Sequence, residues 1–404
     1  MAEQRVTFAD LAKTGEIVFG DGYRTKKSEH GKPGLPILRV AEVHDGAIRP
    51  EFADFVSNSY REAMGRKVSR AGDVVLTTKG TVGRVAIIPN GSPEFVYSPQ
   101  VCFFRADSGV QLEPRYLYYW FKSSEFWEQA GSRKSQTDMA DYLNLSDIRS
   151  LSITLPDILQ QRAITEVLGA LDDKVAVNER IRDTALNLAR TYYEAASTTC
   201  ESQRIGDLAA LFDGPHATPQ KTEVGPWFLS ISSLNNGYLD LAESAHLSEE
   251  DFPRWTRRVQ PQAGDVLFSY ETRLGDAALM PPGVRGSLGR RMALLRSKSA
   301  SVSGALLLHA YLSSGFQEEI KRRSIHGATV DRLPLREMPG WPIALPAEAE
   351  RERLSTKLDL LHARVTQVAN ENRALATLRD TLLPQLMSGK LRVRDAEKIV
   401  EGAV

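Results

Sequence analysis

Cysteine is scarce in this chain: Cys102 and Cys200 are the only two among 404 residues. Two thiols cannot frame a disulfide scaffold, and with no Cys-x-x-Cys or His-Glu-x-x-His pattern nothing suggests a metal cluster. Net charge is also lacking, since 51 Lys+Arg balance 51 Asp+Glu. Retention of nucleic acid by bulk positive charge is thereby excluded, and any such site must be a local patch. No run approaches the ~18 apolar residues that a membrane span needs. The start, Met1-Ala2-Glu3-Gln4-Arg5, has no apolar signal-peptide core. A reduced, cytoplasmic, multidomain protein with no membrane association is expected. Catalytic signatures are missing as well. Ser388-Gly389-Lys390 lacks the upstream glycine and following hydroxyl of a phosphate-binding loop, and Phe19-Gly20-Asp21-Gly22 has the wrong spacing for a methyl-donor cofactor loop. There is no Gly-x-Ser-x-Gly turn and no Asp/Asn-Pro-Pro-Tyr motif. Pro156-Asp157 followed by Asp172-Asp173-Lys174 matches a loose nuclease string. The residues between have helical period, however, which places the two carboxylates roughly 22 Å apart, too far to share an ion.

What the chain does have is an internal repeat. Ala71-Gly72-Asp73-Val74-Val75-Leu76 returns as Ala263-Gly264-Asp265-Val266-Leu267-Phe268, a shift of 192. Gly83 and Pro89 meet Gly275 and Pro281 at that shift, and Pro36-Ile37-Leu38-Arg39-Val40 meets Trp227-Phe228-Leu229-Ser230-Ile231 at 191. Ser123-Ser124-Glu125-Phe126 matches Ser313-Ser314-Gly315-Phe316, and Leu155-Pro156 matches Leu345-Pro346, both at 190. Asp10-Leu11-Ala12 pairs with Asp207-Leu208-Ala209. The order is kept, so the chain is two copies of a segment too long for a solenoid repeat.

Each copy has a β-rich first part punctuated by Gly, Pro and Asn, in which Gly72-Asp73 and Gly264-Asp265 are turns that launch a buried strand. The aromatic stretch from Leu112 to Gln129 is expected as a helix packed on that sheet. The second part of each copy is a long helix. Asp157 suits an N-cap, and Ile164, Leu168, Leu171, Val175, Asn178, Ile181, Ala185, Leu188 and Tyr192 follow at coiled-coil spacing. Leu354, Leu358, Leu361, Val365, Val368, Asn372, Leu375, Leu378 and Leu382 repeat the seam. Forty helical residues at ~1.5 Å each span roughly 60 Å. Such a helix needs a partner, and the nearest is the other copy, with Asn178 and Asn372 either fixing register or facing water. The expected fold class is α+β. Two similar β-rich globular domains with helices, 1–156 and 201–346, are separated by two long antiparallel coiled-coil helices, 157–200 and 347–394, with a tail to 404 and a pseudo-two-fold internal repeat.

This layout resembles the specificity (S) subunit of type I restriction-modification enzymes, over nearly the whole chain. Leu155-Pro156-Asp157-Ile158-Leu159-Gln160-Gln161-Arg162-Ala163-Ile164 is similar to the family's "LPPLxEQRAI" entry into its central helix, with Asp157 in place of the second proline and Gln160 in place of glutamate. Leu171-Asp172-Asp173-Lys174 and Asn178 follow its helix pattern, and Leu382 to Val393 is close to its C-terminal signature. Thr78-Lys79-Gly80-Thr81-Val82-Gly83-Arg84 resembles its "GtiGr" loop, and Gly131-Ser132-Arg133-Lys134-Ser135-Gln136-Thr137 its "GSTQ" segment. The second copy departs further: its helix begins Glu348-Ala349-Glu350-Arg351-Glu352, and its loop reads Glu271-Thr272-Arg273-Leu274-Gly275-Asp276.

The resemblance implies a non-catalytic subunit with two target recognition domains, each reading half of a split double-stranded DNA target, here with unlike halves because the two copies differ in most residues. The helices would serve as ruler and as dock for two methyltransferase (modification) subunits, with restriction (motor-nuclease) subunits joining for cleavage. No cofactor is expected in this chain; S-adenosylmethionine would belong to the methyltransferase partner, and ATP and Mg to a restriction partner. Competing readings are a self-sufficient methyltransferase or nuclease with an unrecognised site, and a two-headed protein scaffold. Phosphate contacts position and base contacts specify, so the candidate DNA contacts are polar and cationic loop residues. In the first copy these are Lys26, Lys27, Lys79, Gly80, Thr81 and Arg84, then Arg133, Lys134, Gln136 and Thr137 in a polar run expected as a loop. In the second they are Arg273, Arg290, Arg291, Arg322, Arg323, His326 and Thr329.

Overall fold

In the computed structural model, residues 4–49, 52–106, 110–133, 135–136, 141–197, 200–327 and 330–402 are described, with the side chains of Arg133, Ser135, Gln136 and Asp141 outside that description. The chain divides into two units, Met1–Lys174 with Ala374–Val404, and Val175–Arg373. Each unit therefore holds one β-rich part and a piece of both long helices.

The first unit is built on a four-stranded antiparallel sheet in the order Val18–Asp21, Val101–Arg105, Val74–Thr77, Val85–Ile87. Val74–Thr77 and Val101–Arg105 are buried along their whole length, as a strand covered on both faces must be. Gly34–Leu38 lies between Phe55–Ser57 (antiparallel) and Val96–Tyr97 (parallel) in a second sheet. The second unit repeats both sheets. Ala209–Asp213, Met292–Ser297, Val266–Ser269 and Ala277–Leu279 follow the same order, and Gly237–Leu239 and Leu234–Asn235 extend that sheet. Thr222–Leu229 lies between Ala245–His246 (antiparallel) and Gly286–Leu288 (parallel). In each unit a strand before the sheet pairs with the strand before a long helix: Gln4–Thr7 with Ser152–Leu155, and Cys200–Arg204 with Pro342–Pro346.

The turns that launch the buried strands carry a device with no signal in local periodicity. Arg105 grips Asp73 with Nε to Oδ1 at 2.7 Å and Nη2 to Oδ2 at 2.6 Å. Arg296 grips Asp265 with the same atoms at 2.8 and 2.7 Å. Such bidentate forks are the strong form of the interaction, and here they tie each Gly-Asp turn to the neighbouring strand.

The aromatic stretch forms two helices, Pro114–Lys122 and Ser124–Arg133, rather than one. Ser123 interrupts them with extended backbone, and its hydroxyl donates to the Trp120 carbonyl at 2.7 Å. Ser313 separates Gly304–Leu312 from Ser314–Arg323 in the same way. The segment expected as a loop from Arg133 to Thr137 also differs. Arg133 closes the helix, and Ser135–Gln136 is a strand paired with Asp141–Tyr142. Backbone pairing with Asp141–Tyr142, which in turn bridges Lys79, sets this conformation, and hydrophobic period could not reveal it.

The long helices are Ile158–Ala196 and Glu348–Met387. Asp157 caps the first, accepting the Gln160 N–H at 2.9 Å. In the first unit Arg379 donates to Asp172 at 2.7 Å, so the nuclease-like Asp172 is held in an ion pair between the helices. In the second unit Asn178 Nδ2 donates to Asn372 Oδ1 at 2.9 Å, and Asn178 is fully buried. Ala189 and Tyr193 share a core with Leu354 and Leu358. Low numbers on one helix meet high numbers on the other, so the pair is antiparallel there. The expected seam fails at its end: Leu188 and Tyr192 are 40% and 38% exposed, and Ala189 and Tyr193 are buried in their place. A straight helix drifts by ~20° per heptad from a strict 3.5-residue repeat, enough to turn the next residue inward. The second long helix ends at Met387, where Gly389 takes positive φ and a separate helix, Val393–Glu401, follows.

The family-like string at the first long helix has a folding role. Gln161, fully buried, accepts the Glu113 N–H at 3.0 Å and donates to the Gln111 and Pro156 carbonyls at 2.8 and 2.9 Å. Arg351, at a shift of 190, donates to the Pro346 carbonyl at 2.8 Å and to Glu201 at 2.6 Å.

Candidate nucleic-acid interface

The loop between Val74–Thr77 and Val85–Ile87 and the hairpin that follows the two short helices are distant in sequence but form one backbone edge. Tyr142 bridges Lys79 on one side and pairs with Ser135 on the other. The Leu143 N–H donates to the Thr78 carbonyl at 3.0 Å, and the Thr78 N–H donates to the Gln100 carbonyl at 2.9 Å. The second unit builds the same edge. Arg332 bridges both Glu271 and Ile325, the Leu333 N–H donates to the Tyr270 carbonyl at 2.8 Å, and the Tyr270 N–H donates to the Arg291 carbonyl at 3.1 Å. Lys79, Gln100 and Tyr142 thus correspond to Glu271, Arg291 and Arg332.

Glycine is required at the turn of each loop. Gly83 has φ 101°, and a Cβ there would lie 2.1 Å from the Trp127 ring; Gly275 has φ 91°, and its Cβ would lie 2.1 Å from Gln317 Oε1. Beside each glycine an arginine fastens the loop. Arg84 Nη1 donates to the Val40 and Val43 carbonyls at 3.4 and 3.2 Å. Arg273 donates to the Ile231 and Leu234 carbonyls at 3.3 and 3.1 Å. These four carbonyls correspond at a shift of 191, yet Arg84 follows its glycine by one residue and Arg273 precedes its glycine by two. Asp276, where Arg84 would fall, forms an ion pair with Arg273. Both arginines therefore brace the loop from within.

A third shared tie lies at the end of the first sheet strand. Lys67 Nζ donates to the Gly22 carbonyl at 2.8 Å and lies 3.5 Å from Asp21. Arg258 donates to the Gly214 carbonyl at 3.0 Å and lies 3.3 Å from Asp213. Asp213 also meets His216 Nε2 at 3.1 Å, and His216 Nδ1 is 3.4 Å from the Tyr270 hydroxyl. Burial, then the Asp213 and Glu271 carboxylates, raise the Tyr270 phenol well above its ordinary range, so it remains a neutral hydrogen-bonding group.

The remaining candidates differ between units. Lys79, Gly80 and Thr81 are exposed on the first edge, and Lys79 has no side-chain partner among the described residues. Gln136 lies in the paired strand of the hairpin and Arg133 at the end of the helix before it. Lys134, Thr137 and Thr329 lie outside the described residues. Lys26 and Lys27 are exposed at a one-turn helix, Lys27–Glu29, and no strand pairing among the described residues joins it to the Lys79 loop. In the second unit most cations are already paired. Arg291 Nε is 2.8 Å from Glu271, His326 is 3.1 Å from Asp331, and Arg322 and Arg323 both grip Glu319. Arg290 is exposed, with no partner among the described residues. Sequence reading missed Gln100, Tyr142, His216 and Tyr270. The shift of 191 that matches Gln100 to Arg291 was the available signal.

Among the described residues no cluster of three or more His, Cys, Asp or Glu side chains is placed to hold a metal ion. No helix among them is long and apolar enough to cross a membrane.

Residues 6–186 match the type I restriction modification DNA specificity domain. The putative type I restriction enzyme MjaX specificity subunit of Methanocaldococcus jannaschii is 21% identical, over 92% of this chain and 90% of its own length. The MjaIX specificity subunit of the same organism is 20% identical, over 94% and 92%. Among solved structures, the type I restriction-modification S subunit from M. genitalium shares the fold, with a TM-score of 0.54 at 14% identity and 96% of each chain covered. In its matching domain, in relatives along nearly its whole length and in its fold, the chain is similar to the specificity (S) subunits of type I restriction-modification enzymes.

Proposed function

We propose that this chain is the sequence-specific DNA-recognition subunit of a type I restriction-modification system, non-catalytic in itself and acting within a complex of several subunits. The observation that carries the reading is the edge built twice. In each unit a glycine-turned loop, a hairpin and the residue before the last long sheet strand converge through equivalent backbone hydrogen bonds, but present different side chains: Lys79 and Gln100 in one, Glu271 and Arg291 in the other. A shared frame with unlike side chains suits two readers of unlike half-targets. In finer detail, the globular parts 1–156 and 201–346 each read one half of a split asymmetric target in double-stranded DNA. The two long helices set the unread gap and dock two methyltransferase subunits, which bind S-adenosylmethionine. Restriction subunits, using ATP and Mg, join the same assembly.

The test is duplex binding by the chain together with its modification subunits. Affinity is expected to fall steeply with salt, since phosphate contacts release counterions, and to favour one bipartite sequence. Salt-independent binding, or DNA modification by this chain alone, would contradict the reading.

A further inference from the structure

This inference rests on the reading just given and names a base that the second unit reads. Three described residues other than glycine have positive φ: Asn236 at 45°, Thr272 at 71° and Arg291 at 71°. Side chains of L-residues disfavour this backbone region, β-branched ones most of all. Two of the three are in contact. Arg291 Nη1 donates to Thr272 Oγ1 at 3.4 Å, while Arg291 Nε lies 2.8 Å from Glu271 Oε2, in an ion pair without an in-line hydrogen bond. At the position matching Thr272 the first unit has Gly80, with φ 80°. The loop shape is therefore common to both units, and the second keeps it with a threonine whose hydroxyl receives the guanidinium. Clustered backbone outliers of this kind point to function when surrounding contacts hold them in place. Here the Tyr270 N–H holds the Arg291 carbonyl, and the Asp331 carbonyl holds the Thr272 N–H at 3.3 Å.

Arg291 is thus fixed in its backbone by Tyr270 and in its side chain by Glu271 and Thr272. Glu271 occupies the Nε side, and no partner among the described residues occupies Nη2. The side chain is one-third exposed. An arginine oriented by a carboxylate behind it presents its remaining N–H groups in the fork that guanine O6 and N7 accept. We propose that Arg291 reads a guanine in the half-target of the second unit, with Glu271 and Thr272 as positioning residues. The matching position in the first unit is Gln100, which has neither positive φ nor a carboxylate at residue 79, so the two edges do not read the same base there.

The experiment is selection from randomised duplexes by the full chain with its modification subunits. The wild type is expected to select a bipartite target with one G·C pair in the second half that depends on Arg291. Arg291→Lys keeps the charge and removes the fork. It is expected to reduce preference at that one base pair by about 5- to 100-fold, as for loss of a bidentate contact, with the first half and the other second-half positions intact. Glu271→Gln and Thr272→Gly are expected to weaken preference at the same base pair only. The assignment is overturned if Arg291→Lys leaves every position unchanged, or if Arg291→Ala, which removes the charge, weakens all duplexes equally and lowers the salt slope by about one, the mark of a phosphate contact. If Arg291→Lys loses the whole second half, Glu271→Gln decides: a change confined to one base pair supports the assignment, and no change overturns it. A wild-type complex that selects no sequence refutes the DNA-reading role itself, whereas a selective wild type with an unaffected Arg291→Lys removes only the guanine.

Discussion

Replacing Arg84 by alanine tests whether each reading loop is positioned inside its own unit. The change removes two hydrogen bonds from a charged donor, at 3.4 and 3.2 Å, to the Val40 and Val43 carbonyls. Bonds to charged groups contribute about 1.5–3 kcal/mol at good geometry. These two are long and the side chain is half-buried, so about 1–2 kcal/mol for the pair is the reasonable figure. The first unit should stay folded. Its loop loses the tie that fixes it, and with ~1.4 kcal/mol per tenfold the first half-target should bind roughly tenfold more weakly while the second half keeps its full contribution. The second unit supplies a rescue. Thr81 stands two residues before Gly83, as Arg273 stands before Gly275, and Asp276 occupies the place of Arg84. The double variant T81R/R84D therefore transplants the second brace into the first loop and should recover most of the loss. The assay is competition binding with duplexes altered in one half at a time, with urea denaturation as the control for folding. Equal weakening of both halves by R84A, or failure of T81R/R84D to improve on R84A, would refute the idea that the two arginines perform one task from two positions.

Four further outcomes follow from other contacts in the two units. Asp73→Ala should destabilise the chain by about 3–5 kcal/mol, because it strands a buried guanidinium; Arg105 is 5% exposed. Asp265→Ala should cost about 1–2 kcal/mol, since Arg296, 29% exposed, can turn toward water; equal costs in urea titrations would contradict this. His309 and His362 lie Nε2 to Nε2 at 2.9 Å within the second unit. Burial, and for His309 also its neighbours His362 and Arg190, lowers them from 6.5 to about 3 and about 4. Both lie below their unfolded value, so the unfolded chain takes up protons first. Stability is full above pH ~6.5 and falls as the pH drops toward 4 and then 3, each histidine contributing at most roughly 1.4 kcal/mol per pH step of one. H309L/H362L should flatten that fall in denaturation curves taken at each pH, and an unchanged slope would contradict the assignment. Lys79→Ala should weaken binding to all duplexes alike and reduce the salt slope by about one; a change in base preference would instead make Lys79 a base contact.

Much of the architecture was legible because short strings carry strong local physics. Gly72-Asp73 and Gly264-Asp265 mark turns, the apolar residues after them mark buried strands, and their recurrence at one shift reveals the repeat without any long identity. The partners of those aspartates were not legible, because Arg105 and Arg296 sit in strands whose apolar neighbours give no local reason for a charge. Only their own separation of 191 links them. The long helices were visible from their seams, but the inward turn at Ala189 and Tyr193 depends on helix drift, to which a strict heptad count is blind. The candidate interface was half legible. Its loops are rich in glycine and charge, which sequence displays. Whether a cation is exposed, as Lys79 is, or spent on a carbonyl, as Arg84 is, depends on pairing between segments dozens of residues apart. Gln100 carries no charge and no motif, so only its shift of 191 from Arg291 marks it in the sequence, and its place at the edge depends on its carbonyl receiving the Thr78 N–H.

The most direct measurement replaces residues 1–156 with the corresponding region of a relative that has another target, and maps the DNA sites modified by the complex. A bipartite target in which one half changes, while the other half and the gap stay as before, is the predicted result. A target changed in both halves, or left unchanged in both, would contradict the account of two independent readers in one chain.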